Sequence, residues 1–424
     1  MARVEKVARW SVVVIVIASA VHGILTIRGT YADGAFDLYT ILQGRWLLDG
    51  NRAFAPIVTQ GPAWIGLALG STNVHVIAVL HSLGVVGVPT LLWALALALL
   101  VRHRLFWPMV VVFAVVFLNA GLVSIGQYNQ LYAYVAVMVA LLVRQRLSRV
   151  GAVGLILLAL LCFRTYEGIL YLGPPLAALA FLTARRRRAE DGIPRYDLPV
   201  RLVAAGILLV DAVGGLVIAL FPSDPANRAG ALNLFEPFLT NSELLLSTLL
   251  GLAWIVAWLL LDGRKLVVVS VLLAASAAAL LVPALWAQPW MHYHARTTTG
   301  LLLLVLTVVA LLPELRRREP RTLSWAWVAP LALVLVQLVA FTASTQGIRN
   351  WVGVFEESLS TRSGEVVLAD TPAIQDFQRY AWPWTNPFLS VLFRPQGSDV
   401  VILSPGREVG SETIPKPLPP QFHP

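Results

Sequence analysis

The sequence has few charged residues: Asp, Glu, Lys and Arg make up 13% of its 424 residues, against about 25% in an ordinary soluble domain. So little charge excludes a disordered chain and leaves too little polar surface to cover a soluble globule of this mass. The single cysteine, Cys162, excludes an intrachain disulfide. Hydrophobic residues make up 58% of the chain, which is typical of a membrane protein with several spans.

Apolar runs of about 20 residues, the length that crosses a bilayer as a helix, recur along the chain. They predict an all-α polytopic membrane protein with about eleven transmembrane helices. We expect the first helix to be retained, because its apolar run continues to Ile27 without the small residues of a signal-peptide cleavage site. The predicted spans are 10–27, 76–101, 105–124, 131–143, 150–163, 168–184, 202–221, 244–261, 266–286, 300–313 and 325–343.

Basic residues are unevenly divided between the two sets of loops. With the N-terminus in the cytoplasm, twenty Lys and Arg residues lie on the cytoplasmic side and six in the short loops opposite. This asymmetry predicts an N-in orientation, and an odd number of spans then places the C-terminus outside. The net charge of +9 is therefore a topology signal, and we expect no nucleic-acid partner. The six outer residues are Arg28, Arg45, Arg52, Arg164, Arg228 and Arg296.

The composition changes after the last predicted span. We expect residues 1–343 to form the transmembrane domain, with a first outer loop at 28–74, and residues 344–424 to form a small extracytoplasmic α+β segment. In that segment the patterns predict a helix at 348–359, strands at 365–370 and 399–403, an aromatic stretch at 380–387 and an extended proline-rich end.

The first outer loop contains two short amphipathic stretches, 36–48 and 60–65, which we expect to form helices at the membrane interface. Asp33 and Asp37 stand at the head of this loop, one helical turn apart if the segment is helical. Two interpretations of Asp37 remain open. It is either a functional carboxylate or a carboxylate that stabilises a helix N-terminus.

Small polar clusters also mark the other outer loops. His292, His294 and Arg296 form a cluster of donors that we expect to bind an anionic group. Gln127 and Asn129 are candidates to bind hydroxyl groups, and helix capping is an equally open role for them. His292 and His294 are two residues apart, a spacing that points them away from each other on a helix, so we expect no metal site. The residues are Gln127, Tyr128, Asn129, Arg164, Glu167, Trp290, His292, His294 and Arg296.

One carboxylate, Asp211, lies midway through the seventh predicted span. A charge at that depth costs a few kcal/mol or more unless it is paired or protonated, so Asp211 is a functional candidate. The alternative is a polar contact between helices, for example with a Ser or Tyr hydroxyl. The two halves of the chain do not show the repeated broken-helix pattern of transporters.

With these loops in place, the chain resembles the GT-C class of glycosyltransferases over residues 1–310. The resemblance rests on Asp37-Leu38-Tyr39 followed by Leu48-Asp49-Gly50, on Gly61-Pro62, and on Gly126-Gln127-Tyr128-Asn129. The last of these is similar to the Gly-Gln-x-Asn of the polyprenyl-phosphate-mannose-dependent mannosyltransferases, and the loop of Trp290, His292 and His294 is similar to their Trp-and-His loop. The chain departs from the family at Arg164, where a Lys is expected, and in its C-terminal segment.

The resemblance implies a monomeric enzyme of the bacterial plasma membrane with its active site on the periplasmic side. It would transfer a sugar, with inversion and without a metal or other cofactor, from a membrane-lipid donor, a polyprenyl-phosphate sugar, to an acceptor hydroxyl. Asp37 would be the general base. Arg164, Arg296, His292 and His294 would bind the donor phosphate. Substrate contacts would come from Asp33, Gln127, Tyr128, Asn129, Glu167 and Trp290.

Three alternatives to this function remain open. A transporter or flippase for a lipid-linked substrate would use Asp211 as its coupling group. A ligase-like transferase, of the kind that acts on O-antigen, would use a diphosphate donor. A non-catalytic assembly protein would use the C-terminal segment to bind a partner.

Overall fold

The computed structural model describes most of the chain. The described residues are 2–31, 33–45, 54–114, 126–187, 194–221, 242–261, 265–272, 275, 291–311, 326–361, 365–367, 385–395, 398–403 and 415–423. Trp290 lies outside them, and so do the side chains of residues 291–298, which include His292, His294 and Arg296.

The described chain is almost entirely helical. Its first helices are α1 Ala2–Leu25, α2 Asp33–Leu42, α3 Ala55–Thr59, α4 Gly61–Ala68, α5 Val74–Ser82, α6 Val88–Leu100, α7 Phe106–Val112, α8 Gln127–Val143 and α9 Arg149–Cys162. They are followed by α10 Ile169–Arg187, α11 Asp197–Leu220, α12 Ser242–Leu260, α13 Met291–Leu311, α14 Val328–Thr361 and α15 Asn386–Phe393. A 3-10 turn, Arg28–Thr30, precedes α2, and a π turn, Leu83–Gly87, joins α5 to α6.

Four of the described helices are long and apolar enough to cross a membrane, judged by length and composition: Arg3–Leu25, Val74–Leu100, Asp197–Val217 and Val328–Thr361. Helical residues fall within each of the eleven predicted spans, although 105–124, 266–286, 300–313 and 325–343 are described only in part. Exposed apolar side chains such as Val210, Val213 and Val217 cover the outside of α11. The predicted class, a helical membrane protein, is therefore confirmed, whereas the number of eleven spans stays a prediction.

Local signals place the helix starts. The side chain of Asn73 accepts a hydrogen bond from the N–H of Val76 at 2.9 Å, and Ser148 accepts one from Gly151 at 3.0 Å. Each side chain satisfies one of the backbone donors that the first turn of a helix leaves without an intrahelical partner. The capped starts of α5 and α9 thus follow directly from the local sequence.

The helix α14 continues through residue 343 without a break and is 34 residues long. It therefore includes both the last predicted span and the separately predicted helix 348–359. Its far end, with Trp351, Phe355 and Leu359, packs against α2 and α15. The C-terminal segment is thus joined to the transmembrane helices by a continuous helix.

The apolar face of α2 is covered by protein. Leu38, Ile41 and Leu42 are fully buried in a cluster that includes Phe355 of α14 and Leu389 of α15. The expectation that this face lies on the membrane interface is wrong, because the C-terminal segment packs on it. The second stretch predicted to form an interfacial helix, 60–65, lies in α4, which has Pro62 in its first turn and Ile65 exposed.

Two short strands lie in the C-terminal segment where the sequence predicts strands. β1 Glu365–Val367 and β2 Val401–Leu403 pair in parallel, with Val366 opposite Ile402. The helix α15, which the sequence analysis did not predict, packs against β2, and its Ser390 hydroxyl accepts the N–H of Ile402 at 2.9 Å. The aromatic residues 380–384 of the predicted stretch lie outside the described residues.

Basic residues close one end of the helix bundle, which we call the Arg201 end. The buried guanidinium of Arg201 forms an ion pair with Asp197 and donates to the carbonyls of Leu142 at 2.9 Å and Arg144 at 3.2 Å. The same Asp197 accepts the N–H of Leu147 at 2.8 Å. A cation at the C-terminus of α8 satisfies carbonyls that have no helical donor.

Arg9 has the same role beside α6. It pairs with Glu5 and donates to the carbonyls of Val101 at 2.8 Å and His103 at 3.3 Å. The indole of Trp107 donates to the same Glu5 carboxylate at 3.1 Å. Two of the twenty basic residues assigned to topology therefore also join neighbouring helices.

The buried pair at the Arg201 end leads to a stability prediction. Asp197→Ala leaves the Arg201 guanidinium buried without its carboxylate, and we expect this to lower the free energy of unfolding by about 3–5 kcal/mol. Thermal unfolding of the purified protein in detergent measures the loss. Arg195→Ala, an exposed change two residues away, is the control. Equal melting temperatures for the two variants would contradict the role assigned to the pair.

Candidate functional site

The chain reverses sharply where α1 leaves the bundle at its other end, which we call the Asp37 end. Ile27 has a φ of 46°, a left-handed conformation that is rare for a β-branched residue. The N–H of Gly29 then donates to the hydroxyl of Ser82 at 2.9 Å. A Cβ at position 29 would lie 2.6 Å from the Cα of Ser82, so only glycine permits this approach. The first loop is thereby fastened to the end of α5.

Arg28 is buried within this turn. Its guanidinium lies 4.4 Å from the ring centroid of Phe341 on α14, a distance at which a cation is attracted to an aromatic face. Burial lowers the pKa of Arg28 to about 9, and the neighbouring Tyr31 opposes that shift. The side chain is therefore still cationic at neutral pH and holds the turn against α14.

Asp33 and Asp37 lie one turn apart in α2, as predicted. The Asp37 carboxyl is surrounded by protein but keeps some accessible surface. Burial and the neighbouring charge of Asp33 raise its pKa to about 8. Within the described part of the chain, no hydrogen bond or ion pair reaches this carboxyl. Among the described residues, Asp37 is therefore not paired with a local backbone amide, as the helix N-terminal interpretation would require.

The π turn between α5 and α6 leaves one carbonyl without a helical donor. The N–H of Val88 bonds to the carbonyl of Leu83 and not to that of Gly84. The next donor in this wider pattern would come from residue 89, which is a proline and has no N–H. The side-chain amide of Gln130, on α8, donates to the Gly84 carbonyl at 2.9 Å. A side chain from the second loop thus completes the backbone of the π turn.

The same glycine also contacts the first loop. A Cβ at Gly84 would lie 2.1 Å from the carbonyl oxygen of Thr59 in α3. We call this junction of α3, the π turn and α8 the Gly84 junction. Gln130 was not singled out from the sequence, although its position one turn into an apolar helix was a usable signal.

The start of α8 carries a group of tyrosines. Tyr128 folds back over Gly126, where a Cβ would lie 2.2 Å from its ring. Its ring centroid is 5.9 Å from that of Tyr166 in the third loop, and Tyr132 lies 6.4 Å from the same ring. Gly126 is the N-cap residue of α8 and has no side chain to cap the helix, so neither Gln127 nor Asn129 occupies that position. Gln127 is half-buried, and Asn129 is buried.

The third loop reaches the first through its backbone. Arg164 has a φ of 52°, and its carbonyl accepts the N–H of Phe54 at 3.4 Å. The rings of Phe54 and Phe163 lie 5.9 Å apart. The Arg164 side chain is exposed, and Glu167 is half-buried. Ile27 and Arg164 are the two non-glycine residues with positive φ in the described chain, and each begins a loop of this end.

Helix α13 crosses the tyrosine group at Gly300. A Cβ there would lie 2.1 Å from the hydroxyl oxygen of Tyr171, which is itself 3.0 Å from that of Tyr132. At about 100° per residue, Arg296 lies roughly 40° and His292 roughly 80° around the helix from Gly300, whereas His294 lies roughly 120° the other way. Arg296 and His292 precede Gly300 by about one and two turns of the same helix.

Asp211 lies in α11, fourteen residues after Asp197 and nine residues before Leu220. Its side chain is near enough to Cys162, the last residue of α9, to interact electrostatically. The mid-span position of Asp211 stays a prediction. The carboxyl is buried, and its Oδ2 has no hydrogen-bond partner among the described residues.

The structure thus brings several predicted site residues to one end of the bundle. The second loop, the third loop and the face of α13 at Gly300 meet at the tyrosines, and the Gly84 junction ties α3 of the first loop to α8. Asp33 and Asp37 lie on the neighbouring α2, and no hydrogen bond or ion pair joins Asp37 to the other loops among the described residues. The described part of the chain also has no group of three His, Cys, Asp or Glu side chains arranged to hold a metal ion.

Comparison of the chain with protein-family models, with curated proteins and with solved structures finds no match.

The Gly84 junction yields a second prediction. Gly84→Ala places a methyl group against the Thr59 carbonyl, so we expect a lower melting temperature and separation of α3 from the π turn. Gly206→Ala on α11 is the control, because nothing lies within 4 Å of its Cβ position. Hydrogen exchange at residues 55–59 measures the separation. Unchanged exchange there in Gly84→Ala would contradict the close contact.

Proposed function

We propose that this chain is a membrane glycosyltransferase that moves a sugar from a polyprenyl-phosphate donor to an acceptor hydroxyl. The observation that carries the proposal is the Asp37 carboxyl, which is partly accessible and free of described hydrogen-bond or ion-pair partners. A group of this kind is able to accept a proton at near-neutral pH, since general-base catalysis works best when the pKa lies near the working pH.

The proposed reaction is a single displacement. The ionised Asp37 carboxylate takes the proton of the acceptor hydroxyl while that oxygen forms a bond to the anomeric carbon. The bond between the anomeric carbon and the phosphate oxygen breaks with its electron pair, so polyprenyl phosphate leaves and the configuration inverts. In this scheme Asp33 has a supporting role, because its negative charge keeps the pKa of Asp37 high.

The leaving phosphate requires positive charge. Arg164 is exposed at the Asp37 end, and Arg296 and His292 precede Gly300, which packs against the tyrosine group, by about one and two turns of α13. In the proposal these residues and His294 stabilise the phosphate as its charge develops. The residues proposed to contact the sugar and the acceptor are Gln127, Tyr128, Asn129, Glu167 and Trp290.

The proposal includes an orientation. With eleven spans and the N-terminus in the cytoplasm, the Asp37 end faces the periplasm of a bacterial plasma membrane, where lipid-linked sugar donors are accessible from the bilayer. The positive residues at the Arg201 end support this orientation by the positive-inside rule. We propose that the protein acts as a monomer without a metal or other cofactor. The acceptor hydroxyl belongs to a glycan, a lipid or a protein.

A second candidate, transport of a lipid-linked substrate, is favoured by the buried Asp211 carboxyl with its unpartnered Oδ2. Proton-coupled transport would depend on this group and leave the sugar on its lipid. The test measures movement of the lipid-linked substrate across the membrane of proteoliposomes. Movement that requires a pH gradient, without transfer of the sugar, would favour the transporter over the transferase.

The role of Asp37 is tested by Asp37→Asn. Removing the general base is expected to lower the rate of transfer by about 10²- to 10⁴-fold. The assay measures transfer of radiolabelled sugar from a panel of polyprenyl-phosphate donors to membrane acceptors. Asp399→Asn, an exposed carboxylate of the C-terminal segment, is the matched control. If the wild type transfers sugar in these membranes and the Asp37 variant is fully active, Asp37 has no part in the mechanism.

The pH profile of the same reaction gives a further prediction. Because the base must be ionised, kcat/KM is expected to rise with pH to a midpoint near 8, which is the pKa of Asp37. Asp33→Asn removes the neighbouring negative charge that raises this pKa, so its midpoint should move to lower pH while transfer is retained. An unshifted midpoint in the Asp33 variant would show that another group controls the profile.

A further inference from the structure

The proline-rich end of the chain returns to the helix that carries Asp37. Residues 415–423, which we call the strap, have no helix or ladder of their own apart from one isolated bridge to Asn73. Four of these nine residues are prolines, so the strap has few N–H donors and offers mainly carbonyl groups. Two carbonyls accept hydrogen bonds from α2 and the residue that follows it.

The first half of the strap lies against α2. The hydroxyl of Tyr39 donates to the carbonyl of Lys416 at 3.1 Å, and the side-chain amide of Gln43 donates to that of Pro417 at 3.1 Å. Tyr39 is two residues after Asp37, and its ring lies 5.1 Å from Phe388 on α15. Recognition of proline-rich chains commonly uses an aromatic-lined groove with side chains that donate to the carbonyl groups.

The second half of the strap reaches the turn before α5. His423 donates its N–H to the carbonyl of Thr72 at 3.2 Å and accepts the N–H of Val74 at 2.9 Å. Between the two anchors, Leu418 and Phe422 pack against the same apolar cluster that buries Leu38 of α2. The strap therefore spans from the end of α2 to the start of α5.

We propose that residues 415–423 are a positioning strap, held in a groove formed by α2 and the start of α5, and that they fix the orientation of the helix that carries Asp37. The groove takes a proline-rich segment of this chain as its ligand. The consequence for catalysis rests on the proposed function, whereas binding of the strap and ordering of α2 do not. Neither Tyr39 nor Gln43 belongs to the proposed catalytic set.

The test uses the full chain with a protease site placed between residues 404 and 414, so that the protein folds before it is cut. After cleavage and washing, we expect faster hydrogen exchange in residues 33–42 and unchanged exchange in α8. A synthetic peptide of residues 415–424 should bind the cut protein saturably and restore slow exchange. The matched control peptide carries Leu418→Ala and Phe422→Ala, and it should neither bind nor protect.

Two substitutions in the uncut chain provide an independent check. Tyr39→Phe with Gln43→Ala removes both donors to the strap while the aromatic ring is kept. We expect this double variant, after cleavage, to bind the peptide about tenfold or more weakly. The proposal is overturned if hydrogen exchange in residues 33–42 is unchanged after the strap is washed away. It is also overturned if the cut protein does not bind the peptide.

Sugar transfer is measured on the same samples. We expect kcat to fall after the strap is removed, with a smaller change in KM, and to recover with the wild-type peptide but not with the control peptide. If α2 loosens and transfer is unchanged, the strap has no positioning role. If the uncut protein transfers no sugar at all, the proposed function fails, and the exchange and binding results still decide whether the strap orders α2.

Discussion

The carbonyl of Gly84 is the group on which the arrangement of the loops depends. In an apolar chain a backbone carbonyl left without a donor costs several kcal/mol, so it must be satisfied from within the protein. The π turn and Pro89 release this carbonyl, and Gln130 supplies the missing donor. Thr59 of α3 packs on the same glycine. The need to satisfy this one carbonyl therefore brings α3, the α5–α6 turn and α8 together.

The same requirement explains the charged groups at the opposite end. Arg9 and Arg201 each have a carboxylate partner four residues away on the same helix, and each donates to carbonyls at the C-terminal end of a neighbouring helix. Each cation therefore satisfies backbone acceptors and joins two helices. The few charges of this chain thus serve both orientation and packing, which is why substitution of one partner is expected to be costly.

The first loop is organised by residues far from it in sequence. Its helix α2 would be a marginal structure by itself, since ten residues are too few for a stable isolated helix in water. The far end of α14, helix α15 and the strap bury its apolar face. The helix that carries Asp37 is thus held by packing against the C-terminal segment.

The sequence by itself determined the helical membrane class, most helix positions, the one-turn spacing of Asp33 and Asp37, and the two C-terminal strands, because hydropathy and periodicity are local properties. Only the tertiary structure decided that α2 is covered by protein, that Asp211 lies near Cys162, and that Gln130 and the strap are structural anchors. Those contacts join residues 46 positions apart at Gly84 and 377 apart at Tyr39. No local pattern encodes which distant donor will meet a given carbonyl, since that depends on how the whole bundle packs.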